Sequence, residues 1–219
     1  MLRPRIIPVL LLQDNYVVKT TKFKNPEYVG DPINIIRIFS EKEVDEITIF
    51  DISLFNNKNI NFKLIEDIAS NARMPLCYGG GIKEVWHAEK LFSIGIEKIS
   101  VSKSFFINPS IITEIIKEFG SQSVAITLDI NTNDDGRYYI YDNVKTNLNS
   151  IENTISELND LGVGEIIIQS VYKDGTEEGY DETLIEKLYN LSKAPITFVG
   201  GARSFDNIFE IANKYKIIG

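Results

Sequence analysis

The chain has 219 residues, 43% of them hydrophobic, and a formal charge of −8. That length suits a single α/β barrel domain over 1–219, and the acidic excess argues against nonspecific nucleic-acid binding. No run of 18 apolar residues and no leader pattern occurs, so the chain reads as cytoplasmic and without a membrane span. One cysteine, Cys77, leaves no internal disulfide. One histidine, His87, argues against a histidine-rich metal centre, and no residue spacing marks a metal or a cofactor.

Short apolar runs alternate with longer amphipathic ones. In chain order, strands are expected near Ile6–Leu12, Ile47–Ile52, Leu76–Tyr78, Ile99–Val101, Val124–Ile130, Ile166–Gln169, Ile196–Val199 and Ile217–Ile218. Most are continuously apolar, as in a parallel sheet buried on both faces. Between them, Asp31-Pro32 opens a helix carrying Ile33, Ile36 and Ile38, and Asn108-Pro109-Ser110 opens another carrying Ile111, Ile112, Ile115 and Ile116. Further helices are expected over Phe62–Ser70, Glu84–Ser93, Ile151–Leu161, Asp181–Leu191 and Phe205–Lys214. Eight strands with alternating helices point to a (β/α)8 barrel.

The two halves repeat. Pro75 and Pro195, 120 positions apart, each lead a short strand into a glycine turn, Gly79-Gly80-Gly81 and Gly200-Gly201. Glu46-Ile47-Thr48-Ile49 recurs as Glu165-Ile166-Ile167-Ile168 at an offset of 119. This pattern suits a duplicated half-barrel. Residues 131–149 interrupt it, and Asn133-Asp134-Asp135-Gly136 before Arg137-Tyr138-Tyr139-Ile140-Tyr141 reads as an inserted hairpin. The chain stops just after the expected eighth strand, so the C-terminal part of the last β/α unit is expected to be missing. That would leave apolar surface beside the first and seventh helices.

Glycines between a strand end and a helix let backbone N–H groups approach an anion, and barrels commonly bind phosphate at such loops. Gly80 and Gly81 form one such place, with Ser102 and Lys103 at a neighbouring mouth; Gly200 and Gly201 form a second, beside Asp174 and Gly175. Two cradles suit a ligand with a phosphate at each end, and the alternative is that the glycines merely make tight turns. Asp129 ends the fifth strand, where a carboxylate can act as general acid or base. Asp51 is a comparable candidate, and Asp14 reads as a turn cap. A long basic segment with Lys19, Lys22 and Lys24 suggests an anion-facing lid in which Lys19 is the better anchored; the alternative for Lys22 and Lys24 is a solvated charged loop. At the opposite ends of the strands, Arg5, Glu46, Lys98 and Glu165 each precede a strand, so two cations and two anions could ring the barrel axis. The alternative is separate surface ion pairs.

These residues together resemble the cyclase subunit of imidazole glycerol phosphate synthase. The resemblance runs from Met1 to Gly219 and rests on Arg5-Ile6-Ile7, Gly30-Asp31-Pro32, Asp45-Glu46, Asp51-Ile52, Gly79-Gly80-Gly81-Ile82, Asn108-Pro109, Phe119-Gly120-Ser121-Gln122, Asp174-Gly175-Thr176, Gly179-Tyr180-Asp181 and Gly200-Gly201. It implies a barrel that docks a glutaminase at its bottom and passes ammonia along its axis, with Arg5, Glu46, Lys98 and Glu165 as the gate. In that family two aspartates carry the cyclase chemistry. Asp129 matches one, and Leu11 stands in place of the other.

The opening Met1–Leu12 and the segment from Val18-Lys19-Thr20 to Asn34 are closer to a paralogous branch, the glycosyl amidation-associated proteins of acetamidino modification. That likeness implies an ammonia-channelling subunit working with a glutaminase and a sugar amidotransferase in surface-polysaccharide (O-antigen) synthesis. The alternatives are a true cyclase of histidine biosynthesis, a lyase, and a non-catalytic scaffold that uses its phosphate loops for assembly.

Overall fold

The computed structural model describes residues 5–53, 59–141, 150–215 and 219. These fall into two compact units: 5–19 with 26–124, and 20–25 with 125–219. The fold class is that of the expected (β/α)8 barrel. The strand expected at Ile217–Ile218 and the later part of the 131–149 insertion lie outside the described residues.

The first unit holds β1 (Val9–Gln13), the start of β2 (Tyr16–Thr21) and most of β3 (Lys24–Gly30), while the hairpin tip, 20–25, belongs to the second. It continues through α1 (Pro32–Glu41), β4 (Ile47–Asp51), α2 (Phe62–Asn71), β5 (Leu76–Gly79) and α3 (Val85–Ser93). It ends with β6 (Lys98–Val101), α4 (Lys103–Ile107) and α5 (Ser110–Phe119). Two of its helices, α1 and α2, start at side-chain caps. Asp31 accepts from the Asn34 N–H at 2.9 Å before Pro32, and Asn61 accepts from the Leu64 N–H at 3.2 Å.

β1, β4, β5 and β6 run parallel in register, so residues at one height share a face. Leu10, Ile49, Tyr78 and Ile99 make one buried row. On the other face Leu11, Phe50, Gly79 and Ser100 stand above Val9, Thr48, Cys77 and Lys98.

The basic segment between the first strand and the first helix forms a β-hairpin: Lys19 lies in β2, Lys24 opens β3, and Lys22 sits in the turn between them. Asp14-Asn15 forms the two-residue turn that returns β1 into β2, with φ of 49° and 72° and Leu12 opposite Val17. Lys22-Phe23 repeats the left-handed pair at 53° and 60°. Val17, Val18, Thr20 and Thr21 supply the β-branched run that favours a strand here. A difference from the expected elements is α4, where Ser102-Lys103-Ser104 leads directly into a short helix instead of a mouth loop. β1 also starts at Val9, later than expected, because Pro8 has no N–H to donate to a ladder.

The second unit contains β7 (Val124–Thr132), β8 (Tyr138–Ile140), α6 (Ile151–Leu161), β9 (Glu165–Ser170), α7 (Glu182–Leu188), β10 (Ile196–Val199) and α8 (Phe205–Tyr215). β8 returns antiparallel onto β7, and Asn133 Oδ1 holds the turn by accepting from the Asp135 and Arg137 N–H groups. β7, β9 and β10 run parallel, with Asp129 opposite Gln169 and Gln169 opposite Val199. Phe205 and Phe209 on α8 are exposed, as is Ile38 on α1.

The duplication is visible in backbone detail. A Cβ on Gly80 would lie 2.7 Å from the Asp51 carbonyl oxygen, and one on Gly200 would lie 2.8 Å from that of Ser170. Both glycines have positive φ, 129° and 103°. Ile47 N–H donates to the Pro75 carbonyl at 3.0 Å, and Ile166 N–H to that of Pro195 at 2.9 Å. Gly80→Ala and Gly200→Ala should each destabilise by about 1–3 kcal/mol, since both a strained φ and a backbone clash oppose them. Gly136→Ala, at φ 73° with nothing within 4 Å of the new Cβ, should cost less. Urea unfolding midpoints of the three variants check the order.

Candidate functional site

Asp129 stands on the face of β7 that also carries Thr127, in the row of Gln169 and Val199. It is only partly open to solvent. Burial first, and then the charge of Asp174, push its carboxyl up to about 7. An acid with that affinity holds or releases a proton near neutrality, as general acid–base work requires.

Leu11 occupies the corresponding place in the first unit. Leu11 lies opposite Phe50 as Asp129 lies opposite Gln169, and residues 50 and 169 differ by the offset of 119 that relates the halves. The missing carboxylate is therefore missing from an equivalent position. Asp51 does not replace it. Asp51 projects on the other face of β4, with Ile49, where it accepts from the Ser53 N–H at 3.1 Å, the Ser53 hydroxyl and the Tyr78 hydroxyl at 3.2 Å. Desolvation raises its pKa in spite of those bonds. Tyr78 is fully buried, and burial followed by the Asp51 charge raises the pKa of its hydroxyl too, so it stays a donor.

The glycine loops are brought together with some of their expected companions. In the first unit, Ser104 Oγ donates to the Ile82 carbonyl at 2.5 Å, tying the start of α4 to the Gly79-Gly80-Gly81 turn. Ser102 and Lys103 thus sit beside Gly80 and Gly81, with Lys103 exposed. In the second unit, Gly179 N–H donates to the Gly201 carbonyl at 2.7 Å, and a Cβ on Gly201 would lie 3.2 Å from the Lys173 Cβ. That brings Gly200 and Gly201 alongside the Asp174-Gly175 loop. The Asp174 carboxylate, however, is occupied by the hairpin tip: Thr20 Oγ1 donates to its Oδ2 at 2.7 Å and the Phe23 N–H at 3.2 Å. Lys19 is exposed and pairs with Glu27 across the hairpin at 3.1 Å. Neither Thr20 nor Phe23 is legible as a site residue in the sequence, because their partner is about 150 positions away and no local pattern marks it.

At the starts of the strands, Glu46 is buried between two cations. Arg5 Nη1 donates to it at 2.6 Å, and Lys98 Nζ reaches its Oε1 at 2.8 Å and Oε2 at 3.0 Å. Asp45 fixes the approach by accepting from the Ile6 N–H at 2.9 Å. In the second unit Glu165, also buried, accepts from the Thr197 hydroxyl at 2.5 Å. Glu46 and Glu165 are thus equivalent buried carboxylates, each held by donors. A buried carboxylate is retained only where donors replace its water. Among the described residues no cluster of histidine, cysteine, aspartate and glutamate could hold a metal ion, and no helix is long and apolar enough to cross a membrane.

Strand-end glycine turns, an acid of raised pKa at the end of β7 and a buried glutamate at a strand start in each unit define a duplicated protein of the (β/α)8-barrel class. The chain belongs to the histidine biosynthesis protein family, whose pattern matches residues 5–219. A Leptospira borgpetersenii protein, provisionally named imidazole glycerol phosphate synthase subunit HisF, is 45% identical over all of this chain and 88% of its own length. A Vibrio vulnificus protein, provisionally named subunit hisF3 of the same synthase, is 42% identical over all of this chain and 86% of its own. A Campylobacter jejuni imidazole glycerol phosphate synthase subunit HisF is 34% identical over 96% of this chain and 85% of its own.

Between the unfolded value near 3.8 and about 7, folded Asp129 keeps a proton that the unfolded chain has released. Folding stability therefore falls as pH rises through that window. Asp129→Asn removes the penalty. It should stabilise the protein by about 1–3 kcal/mol at pH 8 and change it little at pH 4. Urea unfolding of both proteins at the two pH values measures the difference.

Proposed function

We propose that this chain is an ammonia-channelling, synthase-type subunit of a glutamine-dependent complex that converts an acetamido sugar of a surface polysaccharide to its acetamidino form. A glutaminase docks at the starts of the strands, and Arg5, Glu46, Lys98 and Glu165 gate the ammonia it releases. A sugar amidotransferase uses that ammonia. One observation carries the reading: Leu11 stands at the register position equivalent to Asp129, while Glu46 keeps both of its cations. Leucine cannot exchange a proton, so a two-acid ring closure loses one of its acids while the machinery at the strand starts is kept. Gly80, Gly81, Ser102 and Lys103 hold one phosphate of a bound ligand. Lys19, Asp174, Gly175, Gly200 and Gly201 serve the other end, with the Asp174-Gly175 loop contributing backbone groups.

A second reading, the cyclase subunit of imidazole glycerol phosphate synthase, is favoured by the names of the relatives. It requires Asp129 to act without its strand-one partner.

Amide-labelled glutamine separates the two. With a glutaminase and a sugar amidotransferase added, the label should appear in an acetamidino sugar, and the purified chain should not turn over the histidine-pathway nucleotide with ammonia. Turnover at an ordinary cyclase rate would overturn the first reading. Leu11→Asp should restore at most weak cyclase activity. Arg5→Ala should leave glutamine hydrolysis running without matching product, read as the ratio of glutamate to product; an unchanged ratio would refute the gate.

A further inference from the structure

The tip of the β2–β3 hairpin and the Asp174-Gly175 loop belong to one compact unit and are joined at four points. Thr20 Oγ1 donates to Asp174 Oδ2 at 2.7 Å, and the Phe23 N–H donates to the same oxygen at 3.2 Å. The Lys22 N–H donates to the Asp174 carbonyl at 2.9 Å. Gly175, at φ 65°, lets the Thr20 carbonyl lie where any side chain would put its Cβ. The left-handed pair Lys22-Phe23 thus turns two consecutive N–H groups onto one aspartate. The contacts continue toward Asp129. The Phe23 ring meets that of Tyr141 edge-on at 6.1 Å, and the Tyr141 N–H donates to the Asp129 carbonyl at 2.7 Å.

We propose that Asp174 is a positioning residue whose carboxylate latches the hairpin tip in place beside the Asp129 strand end, before any ligand is bound. Bonds to an ionised acceptor are the stronger kind, and here one oxygen takes two of them. The latch holds the tip from the protein's own groups, so no phosphate is needed to order it. It stands on this geometry and is independent of the substrate proposed above.

Amide exchange of the full chain without ligand tests it. Asp174→Ala should speed exchange at Lys22 and Phe23 by about tenfold or more, leaving Ile126 and Ile168 in the core at their original rates. Asp174→Asn, which keeps an acceptor oxygen, should rescue part of that protection while lowering the titration midpoint of the Asp129 carboxyl through loss of the Asp174 charge. Thr20→Val removes one donor only; it should give a smaller acceleration and leave the Asp129 midpoint in place. Should Asp174→Ala fail to fold, Thr20→Val and Asp174→Asn carry the test. Unchanged exchange at Lys22 and Phe23 in the variants that fold would overturn the latch.

Discussion

The constraint repeated in both halves of this fold is the approach of two glycines to the backbone of the preceding strand. At Gly80 and Gly200 the chain leaves a parallel strand within reach of the carbonyls of Asp51 and Ser170. Any side chain would push the turn outward, and the parallel registers of β4 with β5 and of β9 with β10 end at that point. The loop that follows each of these two strand ends inherits its starting place from this contact. The Gly79-Gly80-Gly81 turn can then meet Ser104, and Gly201 can meet Gly179.

On that repeated frame the two halves have been filled differently. Equivalent rows carry Leu11 and Phe50 in one unit and Asp129 and Gln169 in the other. One strand-end row carries Leu11 and Phe50; the other holds a carboxyl whose pKa burial raises to about 7. At the strand starts both glutamates remain, one satisfied by two cations and one accepting from a threonine. The duplication preserved the backbone, where a clash would be costly, and let side chains diverge where the local surroundings could absorb the change.

Much of this was legible in the chain itself. The continuous apolar strands, the Asp31-Pro32 and Asn108-Pro109 helix starts and the Asn133–Gly136 turn all depend on groups a few positions apart. The hairpin made by β2 and β3 is not legible in the sequence, although Val17, Val18, Thr20 and Thr21 favour a strand. Its turns, Asp14-Asn15 and Lys22-Phe23, place non-glycine residues at positive φ. Without glycine as punctuation the segment reads as a charged loop.

The candidate site divides in the same way. The types of residue at the strand ends are facts of the sequence, and the absence of an acid at Leu11 is what the family resemblance implies; the equivalence of Leu11 and Asp129 comes from strand register, since the 119–120 offset alone would set Leu11 against Ile130 or Asn131. Which face each side chain occupies came only from register: Asp51 and Leu11 are both strand-end residues of the first unit, yet they stand on opposite faces. The role of Asp174 came only from tertiary structure as well. Its partners Thr20, Lys22 and Phe23 are about 150 positions away, and a hydrogen bond depends on distance in space, which spacing along the chain does not encode.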